Sequence, residues 1–182
     1  MLCGCNRRKK MQRQRVEILT LALCAALLPA IATAATGRTA IAIFRSWGAF
    51  REGSADAPTR CYAIAEPPPN SATAGHGAFA SVASWPGKRI RAQIAIRLSH
   101  PTRDGSAVTL SIGDAAFPLI VQGQDGWAHD RRQDAAIVAA MRSGSSMSVS
   151  AVGANGNPFA DVYRLRGAAS AIDAAALACP LR

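Results

Sequence analysis

Hydrophobic and polar residues trade places every second position over much of this chain, and that rhythm predicts half-buried strands. It is clearest where Ile90, Ala92, Ile94, Ile96 and Leu98 alternate with Arg89, Arg91, Gln93, Ala95 and Arg97. One face of that strand is apolar and the other basic. Val108, Leu110 and Ile112 then alternate with Ala107, Thr109 and Ser111, and Gly113-Asp114 supplies a two-residue turn. Phe117, Leu119 and Val121 carry the pattern on. Residues 89–122 therefore predict a three-stranded antiparallel meander.

Upstream, Ala40 to Phe44, Trp47 to Arg51, Arg60 to Glu66 and Gly77 to Trp85 read as strands. Pro67-Pro68-Pro69 ends the third of these, because proline has no N–H to give a ladder. Pro67 to His76 is rich in Pro, Ser, Thr, Ala and Gly and reads as a surface loop.

The last third changes period. Asp130, with Gln133 three residues on, resembles a capping box for a helix through Arg131–Arg142, and Gly144 is placed to end it. Strand Ser146 to Val152 follows. Asn155-Gly156 is a hairpin signal, and Phe159, Tyr163 and Leu165 share a face of the return strand, with Asp161 interrupting it. A second helix runs from about Ala168 to Cys179, with Ile172, Ala175, Ala176 and Cys179 in one stripe and Pro180 as its stop. Short strands with Gly and Pro turns, then two helices, predict a mainly β domain: an antiparallel sandwich or barrel-like fold with two short helices near the C-terminus.

That domain is expected to span residues 35–182. Residues 1–34 read as a secretory signal peptide. Arg7, Arg8, Lys9, Lys10, Arg13 and Arg15 form a basic opening, Ile18 to Ile31 an apolar run, and Ala32-Thr33-Ala34 a small-residue cleavage pattern. Cleavage is expected near Ala34/Ala35, with initiation at Met1 or Met11. The membrane is then met only in transit. Cys24 lacks the small preceding residue of a lipid-attachment motif, since Leu23 stands there. The expected location is periplasmic or secreted.

Removing the leader changes the charge. The whole chain has a formal net charge of +10, but residues 35–182 hold 15 basic and 10 acidic residues, a net of +5. That moderate excess suits anionic surfaces in general and does not argue for nucleic acid. Cys61 and Cys179 are the cysteines left in the expected domain. In an oxidising compartment they are most simply one disulfide, the alternative being two buried thiols.

Several short stretches carry a resemblance. They are Trp47-Gly-Ala-Phe, Cys61-Tyr-Ala, Arg97-Leu-Ser, Leu110-Ser-Ile-Gly, Ala140-Met-Arg-Ser-Gly, Met147-Ser-Val and Tyr163-Arg-Leu-Arg-Gly-Ala-Ala-Ser-Ala-Ile-Asp. Together they resemble the invasion-associated locus B family of exported bacterial proteins. The resemblance implies a secreted or periplasmic β-rich domain without a known catalytic centre, some of whose relatives are implicated in host-cell invasion. It departs in its cysteines: family members carry another shortly after the early Trp, where Ala49, Phe50 and Arg51 stand here.

The chemistry-bearing residues give no site of familiar spacing. His76, His100 and His129 have no His or Cys three or four residues away, so a metal set is not legible. Gly-x-Ser-x-Gly, calcium loops and phosphate-binding glycine loops are absent from the sequence. No catalytic residue, cofactor or metal is assigned. The most concrete feature is the basic strand face, Arg89, Arg91 and Arg97 with Lys88 beside them. It reads either as an ordinary solvent face that discourages edge pairing or as a docking face for an anionic envelope component or envelope protein. The expected function is a non-enzymatic, exported binding module. The alternatives are a small hydrolase built from His129, Asp130 and a serine, and a metal or ligand carrier.

Overall fold

The computed structural model describes residues 37–180, and the expected leader lies outside them. In chain order the strands are β1 (Arg38–Phe44), β2 (Trp47–Gly53), β3 (Pro58–Ala65), β4 (Phe79–Trp85), β5 (Ile90–Arg97), β6 (Thr109–Ile112), β7 (Ala115–Pro118), β8 (Ile120–Gln122), β9 (Asp125–Trp127), β10 (Ser146–Val152) and β11 (Pro158–Arg164). A 3-10 turn, Pro86–Lys88, precedes β5. Helix α1 (Arg131–Ser143) lies between β9 and β10, and α2 (Ala168–Ala178) follows β11.

The strands make two antiparallel sheets. One runs β1-β2-β3-β4-β5-β9-β8 and the other β11-β10-β6-β7. Both are open, so the sandwich-like form holds and no barrel closes. The expected meander over 89–122 is corrected: β5 belongs to the larger sheet, β6 and β7 to the smaller, and β8 returns to the larger. The switch comes at Pro118-Leu119. Proline ends the β6–β7 ladder for want of an N–H, and the Leu119 N–H instead reaches the Val108 carbonyl at 2.9 Å. Leu119 is buried there, so a run that alternates without a break serves two sheets.

The inner faces supply the core. Ala49, Cys61, Ala63, Val82, Ile94 and Ile96 meet Leu110, Met147, Val149 and Tyr163. Trp47 is fully buried, and its Nε1–H donates to the Arg164 carbonyl at 2.8 Å, tying β2 to the end of β11. Helix α2 lies on β1, β2 and β3 through Ala168, Ala171, Ile172 and Ala175, whereas α1 packs on β5. Gly167, at φ 94°, starts α2 where a Cβ would collide with the Phe44 carbonyl, so only glycine fits.

The α1 start follows the sequence. Asp130 Oδ1 accepts the Gln133 N–H at 2.8 Å, and Gln133 Oε1 accepts the His129 N–H at 2.6 Å. Gly144 caps the helix end as expected, its N–H donating to the Ala140 carbonyl at 2.9 Å. Gly144 has φ −77°, an extended backbone open to any residue. A Cβ there would lie 2.8 Å from Ile112 Cγ2 and 3.0 Å from Leu165 Cδ1, so packing requires the glycine. Gly144→Ala is expected to cost about 1–3 kcal/mol through overpacking. An unchanged urea midpoint would contradict that account.

Asp134 ties α1 to the sheet. It is buried, and its Oδ1 accepts the Ile94 N–H at 2.8 Å. The β9 ladder on β5 begins only at Ala95, so a carboxylate takes the place of the missing strand. Burial pushes the Asp134 carboxyl upward against the lowering effect of the Ile94 N–H, and Asp130 adds to the rise. Because the folded value is raised, the carboxyl favours folding below the ordinary carboxylate range, and that contribution is lost as pH rises through the folded value. Asp134→Asn keeps an acceptor without the charge. Its melting temperature is expected to gain on the parent as pH rises from the ordinary carboxylate range through the raised folded value; a difference that stays constant with pH would refute the burial argument.

Candidate functional site

The predicted basic face begins at the turn into β5. Pro86 sets the first residue of the 3-10 turn, and Arg89 closes it at φ 52° with its N–H donating to the Pro86 carbonyl at 3.1 Å. Arg89 therefore stands outside the strand. Between Trp85 and Ala83 the β4–β5 register slips: Trp85 faces Ile90, but Ala83 faces Gln93. Three residues on β5 thus span what two span on β4, which is a bulge. Ala92 carries it at φ 52°, and Ser84 Oγ accepts the Ala92 N–H at 3.0 Å.

The bulge undoes the expected common face of Arg89, Arg91 and Arg97. Arg97 lies next to inward-facing Ile96, on the opposite side of the sheet. It makes a two-point pair with Asp125, Nε to Oδ1 at 2.8 Å and Nη2 to Oδ2 at 2.7 Å. Its guanidinium also sits 5.9 Å from the Phe79 ring centre. Arg91 instead lines a groove on the helix side, with Val82, Val138, Ile172 and Leu177. Lys88, Arg89 and Arg91 are exposed and make no ion pair among the described residues. Three of the four predicted cations therefore follow one another along the turn and bulge, Arg91 on the helix side, and the fourth is neutralised further along.

The groove runs between α1, α2 and the inner face of β3–β5 and encloses about 580 Å³. Its floor is apolar. Arg142 also lines it and is paired with Asp173 at 2.7 Å, a contact that holds the Asp173 carboxyl below its ordinary value.

The sequence reading missed a second surface, on the outer side of β1–β4. Phe50 and Tyr62 stack with ring centres 5.7 Å apart. Arg38 lies 5.3 Å from the Phe50 centre and Arg60 4.1 Å from that of Tyr62, with Glu52 holding Arg60 at 3.0 Å. Cation–π contact and the ion pair hold these arginines against the sheet. The signal was present, since each of these residues sits at an alternate position of its strand, but the pairing of strands had to be known to bring them together.

The hydrolase alternative named His129, Asp130 and a serine. Asp130 spends its Oδ1 on the α1 cap, and His129 is exposed. A different serine–histidine contact exists: Ser99 Oγ lies 2.9 Å from His100 Nδ1. The nearby carboxylate, Asp161, accepts the Ser99 backbone N–H at 2.9 Å through Oδ2, a bond to the chain and not to the ring. His76 and His100 stand 5.1 Å apart between ring centres. Among the described residues, no three His, Cys, Asp or Glu gather as a metal set. Asp161 and Tyr163 are fully buried, and burial, then the Asp161 charge, pushes the Tyr163 hydroxyl upward.

Cys61 and Cys179 form a disulfide, with Cα atoms 5.7 Å apart and a separation of 118 positions along the chain. It pins the end of α2 to β3. These features define a class: an antiparallel two-sheet domain, closed by two C-terminal helices and tied across by one disulfide. No family model matches the chain, and no curated protein matches it in sequence. Among solved structures it is similar to invasion associated protein B from Bartonella henselae, with a TM-score of 0.55 and 14% identity over 74% of this chain and 94% of that one. At that identity the likeness is one of fold. It agrees with the resemblance in the sequence at the level of architecture.

Replacing both cysteines by serine is expected to lower stability by about 2–5 kcal/mol, because the loop freed in the unfolded chain is long. Thermal melting would read this as a fall of roughly 10 °C. A parent protein whose melting temperature is unchanged by a thiol reductant would refute it.

Proposed function

We propose that this chain is an exported, non-catalytic binding module of the bacterial envelope, which docks an anionic envelope component through Lys88, Arg89 and Arg91. The observation that carries the reading is local. Three consecutive-to-near cations occupy a turn and a bulge, exposed and without ion-pair partners among the described residues, while Arg97 is matched by Asp125. Cations left free in this way are available to an external anion, and arginine recognises carboxylate or phosphate in a two-point geometry.

The compartment is supported from two directions. The three-part pattern of residues 1–34 is that of an export signal, and a disulfide persists in oxidising surroundings.

The test is co-sedimentation with phosphatidylglycerol-containing vesicles at low salt. Charge near such a surface contributes about 1 kcal/mol per Lys or Arg. The triple variant Lys88→Gln, Arg89→Gln, Arg91→Gln is therefore expected to bind at least tenfold more weakly, and Arg97→Gln to lose much less. Equal binding by the parent and the triple variant would end the proposal.

A further inference from the structure

The groove beside Arg91 has the shape and chemistry of a site in its own right. Its volume of about 580 Å³ falls in the range of small-molecule pockets, roughly 300–1,000 Å³. Val82, Val138 and Ile172 give it apolar walls that are themselves buried, and Leu177, 81% exposed, stands at its rim. An exposed leucine beside an apolar groove extends the greasy surface outward. The charged residues of the lining are Arg91, Arg142 and Asp173, and the last two pair with each other. One cation is thus left over at the groove.

The backbone explains why that cation is there. In a regular strand Arg91 would share the side of Gln93 and Arg97. The bulge at Ala92 takes the chain through a left-handed conformation that a non-glycine residue adopts at a cost, and Ser84 supports it with a hydrogen bond. The result is that Arg91 lines the helix side. Bulges commonly re-aim a side chain in this way next to binding sites.

We propose that the groove binds a single-chain fatty carboxylate, the chain lying between α1, α2 and the inner face of the sheet and the carboxylate on Arg91. This rests on the envelope-docking reading above and narrows its ligand to one class. The charge complement decides the head group, since a lone unmatched guanidinium suits one small anion. The apolar lining decides the tail, because a purely polar anion would leave Leu177, the exposed leucine of the groove, in water.

The experiment is calorimetric titration of the disulfide-intact protein, residues 35–182, with octanoate, decanoate and dodecanoate below their micellar concentrations. Burial of each added methylene is expected to tighten binding about fourfold. Arg91→Gln should weaken dodecanoate at least tenfold. Ala176→Phe, a change at an exposed groove residue, should abolish the chain-length dependence while leaving the melting temperature and vesicle binding intact.

If affinity is the same for all three chain lengths, or Ala176→Phe binds dodecanoate as the parent does, the inference is overturned. The docking reading still stands in that case if vesicles are bound through Lys88, Arg89 and Arg91. Loss of vesicle binding alone, with the chain-length series intact, would sink the docking reading and keep the groove as a fatty-acid site. A parent that sediments as a dimer, and a monomeric Ala176→Phe, would assign the groove to a second copy of this chain and overturn the inference.

Discussion

Everything in this fold depends on how closely α2 can lie on β1, β2 and β3. The contact is built from small groups, with Ala168, Ala171 and Ala175 of the helix buried in the same core as Ala49 and Ala63 of the sheet. Methyl groups bring two backbones together but bury little area, and stabilisation by burial scales with area. The close approach is possible because Gly167 yields to the Phe44 carbonyl at the start of the helix. It is secured because Cys179 is bonded to Cys61 at the end. A chain with few aromatics and much alanine therefore obtains a tight seat from geometry and a covalent bond. Its large anchor, Trp47, sits beside that seat, on β2, where its indole joins the two sheets.

Much of this was legible in the chain. Asp130 and Gln133 announce the α1 start because capping depends only on residues within one turn. The helix boundaries and most strand positions followed from local pattern, and the Cys61–Cys179 pair from their being the two cysteines of the expected domain. The misreadings came where tertiary contacts decide. Residues 107–112 and 117–121 keep one alternating pattern on either side of Gly113-Asp114, and Pro118 is the single mark between β7 and β8; Leu119 completes the break with its bond to Val108. Gly144 ends α1 as its place in the sequence suggests, but its role as a spacer against Ile112 and Leu165 is visible only in the fold.

The candidate site was half legible for the same reason. Lys88, Arg89, Arg91 and Arg97 stand out in the sequence as a cluster of charge. Their common face followed from a period of two, and a bulge breaks that period without leaving a mark, because the residue in the left-handed conformation is Ala92 and not glycine. The partner of Arg97 lies 28 positions away in β9. The groove could not be read at all, since its walls come from β4, α1 and α2 and exist only once these elements are assembled. The strained backbone at Ala92 is thus the link between a sequence feature that was visible and a site that was not.

The disulfide also sets the covalent topology of the molecule. Residues 61 to 179 form a closed ring that includes every element from the middle of β3 to the end of α2, with β1 and β2 as a tail. The loop from Pro67 to Gly77, which has no helix or strand, lies inside that ring. A protease that cuts there once opens the ring into a line and releases nothing. Both pieces remain one molecule, held at Cys61 and Cys179, until the thiols are reduced.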